Sequence, residues 1–268
     1  MANDAPIGVF DSGVGGLTVA REIMRQIPNE NIIYFGDTAR VPYGSKSKST
    51  IIRYSKQIVE FLCTKKVKAI VIACNTASSF ALEAVQKEVD IPVIGVIQPG
   101  AKTAVQTTKN NKIGVIGTVG TINSDIYTTT IAQLNSEIEV IGKACPLFAP
   151  LVEEGWLEDP VTYAVAERYL NELKQYHIDT LVLGCTHYPL IRHTVQKIMG
   201  RDVTLVNPAY ETAKYLKQVL LENDIQSDTT ITNHKFFVSD GAEKFNAFAN
   251  TILPCEVEET RDINIEQY

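Results

Sequence analysis

No run of five basic residues occurs in this chain, no stretch approaches the roughly 18 consecutive apolar residues of a membrane span, and no two cysteines stand in C-x-x-C spacing. Each absence excludes something. Twenty-five Lys and Arg against 31 Asp and Glu leave a net charge of −6, so a nucleic-acid partner is not expected. Without a long apolar run, a membrane location is not expected either. The first thirty residues also lack the basic and apolar regions of a secretory signal. Five cysteines, an odd number, fit reduced thiols in a cytoplasmic protein better than a disulfide frame. G-x-x-x-x-G-K-[ST] and G-x-G-x-x-G are both missing, so the nucleotide-binding loops they mark are not expected.

What is present is a βα alternation. Apolar runs at 7–10, 32–35, 69–73, 93–96, 113–117, 138–141, 180–184 and 203–206 read as buried strands. Such near-continuous runs suit a parallel sheet covered on both faces. Helical apolar spacing fills 15–27, 76–88, 159–175 and 209–222, and a further strand is expected at 234–238. The expected fold class is α/β, doubly wound. At 268 residues the chain is long enough for about two domains.

The pattern also repeats. Ile7-Gly8-Val9 returns as Ile113-Gly114-Val115, Val71 to Cys74 as Val182 to Cys185, and Ile97 to Ala104 as Val206 to Ala213. The offsets are 106, 111 and 109 residues, in order, which indicates an internal duplication.

Cys74 and Cys185 fall at matching places in that duplication. Each ends an apolar strand, in A-C-N-T and G-C-T-H, with a helical pattern following. In parallel α/β sheets, sites form at the carboxyl ends of strands, where helix N-termini also point. Both thiols are therefore expected to be shifted toward thiolate. One buried cysteine is usually a small hydrophobe, and Cys63, Cys145 and Cys255 are read that way. Two matched thiols suit a two-base proton transfer, one base on each face of a stereocentre. Asn75-Thr76 and Thr186-His187 follow the cysteines and are either helix caps or site residues. Pro189 is expected in the first turn of the second helix. His187 is read as an acid–base or thiol-activating group, because no third ligand at metal spacing accompanies it. The glycine-rich turn at 11–16 is either an anion cradle or a tight strand–helix turn. Glu153 and Glu154 are read as a solvated acidic pair, and Trp156 as core.

These segments together resemble the cofactor-independent racemases that act on glutamate and aspartate. The resemblance rests on D-S-G-V-G-G at 11–16, G-D-T-A-R-V-P-Y-G at 36–44, A-C-N-T-A at 73–77, P-L-F-A-P-L-V-E at 146–153 and G-C-T-H-Y-P-L at 184–190. The P-Y-G loop points to the enzymes acting on glutamate, with aspartate or a related dicarboxylate as the rival substrate and a non-catalytic binding module as the rival class. The resemblance implies two pseudo-symmetric α/β domains with mainly parallel sheets and the site at their interface. The first would comprise 1–97 plus a returning segment 209–268, the second 98–208. It implies Cys74 and Cys185 as the two bases, assisted by Asp11 and His187. Asp11, Ser12, Pro42, Tyr43, Gly44, Asn75, Thr76, Thr186 and His187 would contact substrate, while Asp37 and Glu153 would give electrostatic support. It further implies no metal and no cofactor, a homodimer, and D-glutamate supplied for peptidoglycan synthesis.

Overall fold

A computed structural model describes residues 4–268, so the first three positions of the expected first domain lie outside the described residues. The chain opens with β1 (Ile7–Asp11), α1 (Leu17–Gln26), β2 (Ile32–Gly36), α2 (Lys48–Thr64), β3 (Ala69–Ile72), α3 (Asn75–Gln86) and β4 (Val93–Gly95). It continues through α4 (Ile97–Thr107), β5 (Lys112–Gly117), α5 (Val119–Asn123), α6 (Ile126–Leu134), β6 (Glu139–Ala144), α7 (Phe148–Glu153) and α8 (Pro160–Lys174). It closes with β7 (Thr180–Gly184), α9 (Arg192–Met199), β8 (Thr204–Val206), α10 (Pro208–Glu222), β9 (Lys235–Val238), α11 (Ala242–Ile252) and β10 (Thr260–Asp262).

All strand pairs are parallel, and they form two sheets. The first runs β10-β9-β2-β1-β3-β4 and the second β6-β5-β7-β8. Without β9 and β10, the first sheet has the order 2-1-3-4 and the second repeats it as 6-5-7-8. The sequence duplication is thus visible as a duplicated topology, and the segment after α10 adds its strands to the edge of the first sheet.

The pleat sorts the cores. Val9 and Val71 point into an apolar cluster between the sheets, while Phe10, Ile70 and Ile72 point the other way, toward α2 and α3. In the second sheet Val115 and Val182 face the central cluster, and Ile116, Leu181 and Leu183 face α8 and α9. Strands buried on both faces explain the unbroken apolar runs of the sequence. Two helices exchange sides: α4 leaves the first sheet and packs on β7 and β8 of the second, while α10 leaves the second and packs on α1. They also pack against each other, so the two halves share their central core.

Local sequence starts these helices in ordinary ways. Ser47, Asp159 and Asn207 cap α2, α8 and α10 with side-chain oxygens, and Pro160 and Pro208 occupy first helical positions. The second cysteine differs from expectation. After Cys185 the chain forms a 3₁₀ turn (Tyr188–Ile191), and α9 starts only at Arg192. Pro189 belongs to that turn and not to an α-helix. Trp156 is also corrected: it is 46% exposed, on the surface after α7.

Candidate active site

The inner strands of both sheets end toward the same cleft. Cys74 and Cys185, just beyond β3 and β7, line one cavity of about 200 Å³. Ser12, Pro42, Tyr43, Gly44, Asn75, Thr76, Glu153, Thr186 and His187 line it too. Two larger surface grooves, of about 610 and 660 Å³, lie elsewhere and contain neither of these thiols.

The two thiols have different surroundings. Cys74 is itself the cap of α3, and its sulfur accepts from the Ala77 N–H at 3.4 Å. Of the two readings of Asn75-Thr76, capping falls away, because the cysteine itself caps α3. The Cys74 thiol also lies 3.8 Å from Ser12 Oγ. Burial pushes it up to about 12, and the Asp11 carboxylate pushes the same way. The Ala77 N–H and Ser12 do not offset that. The expected shift toward thiolate fails for Cys74: one helix terminus at a dry site is weaker than desolvation.

Cys185 has no helix start beside it but has a histidine. Its sulfur lies 3.7 Å from His187 Nδ1, and His187 Nε2 lies 2.9 Å from Glu153 Oε1. Burial alone would lower the imidazole, but the bonds and charges of Cys185 and Glu153 outweigh it and lift it to about 10. The hydrogen bond from His187 in turn holds the Glu153 carboxyl below its usual range, against the effect of burial and helped by the charges of His187 and Lys244. Glu153 is therefore not a freely solvated acid, as its sequence context suggested.

Asp11 and Asp37 lie behind the cavity wall. Asp11 is fully buried; Oδ2 accepts from the Gly13 N–H at 3.0 Å and Oδ1 from the Thr186 hydroxyl at 3.3 Å. Desolvation raises its carboxyl despite the His187 charge and these bonds. Asp37 accepts from Arg40 Nε at 2.7 Å, from Ser239 Oγ at 2.8 Å and from the Tyr43 hydroxyl, so it fixes the Pro42–Gly44 loop from below. In this conformation neither carboxylate borders the cavity.

The glycine-rich turn has a third purpose, which neither sequence reading named. A Cβ on Gly15 would stand 2.4 Å from Thr186 Oγ1 and 2.5 Å from the His187 ring. The absent side chain lets the Thr186–His187 loop of the second half approach α1. The Thr18 hydroxyl then donates to the Thr186 carbonyl at 2.9 Å, tying the two halves.

Sequence reasoning missed Thr118 and Thr121. Thr118 lines the cavity, and the hydroxyls of Thr76, Thr118 and Thr121 lie 2.9–3.2 Å apart. The 106-residue offset that relates β1 to β5 makes Thr118 the counterpart of Ser12, a signal present in the chain. Among the described residues, no group of three or more His, Cys, Asp or Glu is arranged to hold a metal ion. No helix there is long and apolar enough to cross a membrane.

Comparison with known proteins agrees in both sequence and shape. Residues 7–216 match the model of the Asp/Glu/hydantoin racemase family. The glutamate racemase of Geobacter metallireducens is 48% identical over 261 residues, covering 97% of each chain. A glutamate racemase isoform from Bacillus anthracis superposes with a TM-score of 0.94 at 42% identity, covering 97% of each chain. The glutamate racemase of Francisella tularensis, solved with D-glutamate, gives 0.93 at 41% identity over 99% of each chain.

Proposed function

The chain belongs to the Asp/Glu/hydantoin racemase family, and from that premise we propose that it interconverts L- and D-glutamate by proton transfer between Cα and two cysteines. The observation that carries this reading is the placing of Cys74 and Cys185. They follow equivalent strands of two equally ordered sheets and line one cavity of substrate size.

In the L-to-D direction Cys185, as thiolate, takes the Cα proton. Cys74, as thiol, gives its proton to the opposite face. Afterwards Cys185 is the thiol and Cys74 the thiolate, and the reverse reaction starts from that state. Burial keeps Cys74 protonated, as a proton donor in this direction must be, and His187 lies against the Cys185 sulfur. The Cα proton is very weakly acidic, so a thiolate needs the developing carbanion stabilised by donors already in place. Backbone N–H groups at the start of α3, the Asn75 amide and the hydroxyls of Thr76 and Thr118 supply them. Closure of the two halves would exclude water and strengthen these interactions.

The reaction needs no metal or added cofactor. The D-glutamate formed would enter peptidoglycan synthesis, and the working unit would be a homodimer in the cytoplasm. Circular dichroism with L-glutamate tests the reading: optical activity should decay to zero in EDTA-treated protein without added cofactor. Turnover of L-aspartate in preference to L-glutamate, or loss of activity on chelation with recovery on adding a metal, would overturn it.

A further inference from the structure

Tyr127 takes no part in the chemistry above, yet its side chain lies beside the neighbours of both thiols. It sits on α6 in the second half and is 3% exposed. Its hydroxyl donates to Asn75 Oδ1 at 2.8 Å, and Asn75 directly follows Cys74. Its ring passes along Gly184, directly before Cys185, where an added Cβ would stand 3.3 Å from Tyr127 Cε2 and 2.6 Å from the Ile116 carbonyl oxygen.

The amide of Asn75 has an acceptor end and a donor end. Oδ1 is engaged by Tyr127. Nδ2 has no acceptor among the described residues, and Asn75 lines the cavity. The opposite orientation would leave the Tyr127 proton buried without an acceptor among the described residues, a cost comparable to a lost hydrogen bond. It would also turn a carbonyl oxygen toward an anionic substrate. Burial raises the Tyr127 hydroxyl above its usual range, so it remains a donor at any working pH.

We propose that Tyr127 is a positioning residue for the racemisation: its hydroxyl holds the Asn75 amide with Nδ2 turned into the cavity, where it donates to a substrate carboxylate. The inference rests on the reading of the protein as a glutamate racemase. Unlike His187, which stands on one side of the substrate, Tyr127 joins the two halves and serves both directions through one amide.

Tyr127→Phe removes the hydroxyl and keeps the ring. Because the enantiomers have equal free energy, kcat/KM must change by the same factor in both directions for any variant, so the informative readout is coupling to Asn75. The expected loss in kcat/KM is about tenfold, the effect of one net hydrogen bond. A melting temperature within about 4 °C of wild type is expected alongside. Asn75→Ala should lose at least as much, and adding Tyr127→Phe to it should cost no more. Three results would overturn the proposal: wild-type kcat/KM in Tyr127→Phe, losses that multiply independently in the double variant, or failure of Tyr127→Phe to fold. Wild-type protein inactive on glutamate would instead sink the functional reading itself.

Discussion

Glu153 Oε1 lies 2.9 Å from His187 Nε2, on the far side of the imidazole from the Cys185 sulfur. The ring is thereby fixed between Glu153 and Cys185, and both raise its affinity for a proton. Cys74 has no such partner and is held by a helix N–H and a serine hydroxyl. The halves of the molecule are duplicated in topology but not in acid–base equipment.

Replacing His187 by Asn should therefore impair chemistry more than binding. The expected loss in kcat from L-glutamate is about a hundredfold, the low end for a group assisting proton transfer, with a much smaller change in KM. Steady-state kinetics check it. An altered KM with unchanged kcat would make His187 a binding contact only.

Glu153→Gln should move the alkaline limb of the kcat/KM profile to lower pH. The imidazolium that persists to about 10 in the wild type loses the charge that holds it. Stability should follow the same sign. A group whose folded pKa is raised stabilises fully below its unfolded value, about 6.5 for histidine, and that contribution is lost as pH rises through the folded value. Between those limits the wild-type melting temperature should fall with pH more steeply than that of Glu153→Gln. Parallel curves would refute the linkage.

Gly15→Ala should damage both fold and activity, because its methyl group meets the Thr186 hydroxyl and the His187 ring. Overpacking of this kind costs about 1–3 kcal/mol, which thermal denaturation would read as a lower melting temperature. Displacement of His187 should lower kcat in the same variant. Unchanged kcat and melting temperature would mean that the loop from Thr186 to His187 moves aside freely.

All nine expected strands are present, most of them legible because strands buried on both faces need unbroken apolar runs; β6 is a partly exposed exception. β10 escaped because Thr260–Asp262 is a short, polar edge strand with no apolar pattern. The helices α2, α4, α6 and α11 lie outside the four stretches whose apolar spacing reads as helical. Within the site, the residues flanking the cysteines could be read because they are adjacent in the chain. Thr118, Thr121 and Tyr127 could not be read that way, since they follow β5, on or beside α5 and α6, far along the chain from either cysteine. At Cys74 desolvation, of which sequence carries no measure, outweighs the helix terminus. Asp11 and Asp37 stand in segments that lead to the cavity, but burial turns both carboxylates to bonds within the protein.

The central claim is that each thiol works on one face of Cα. Cys74→Ala and Cys185→Ala should each abolish racemisation, since one base cannot complete an inversion. Each should keep deprotonation of a single enantiomer, measured as elimination from glutamate analogues bearing a β-leaving group. Cys74→Ala should act on the L-analogue only and Cys185→Ala on the D-analogue only. Elimination from both enantiomers by either variant, or racemisation at near wild-type rate, would contradict the two-thiol account.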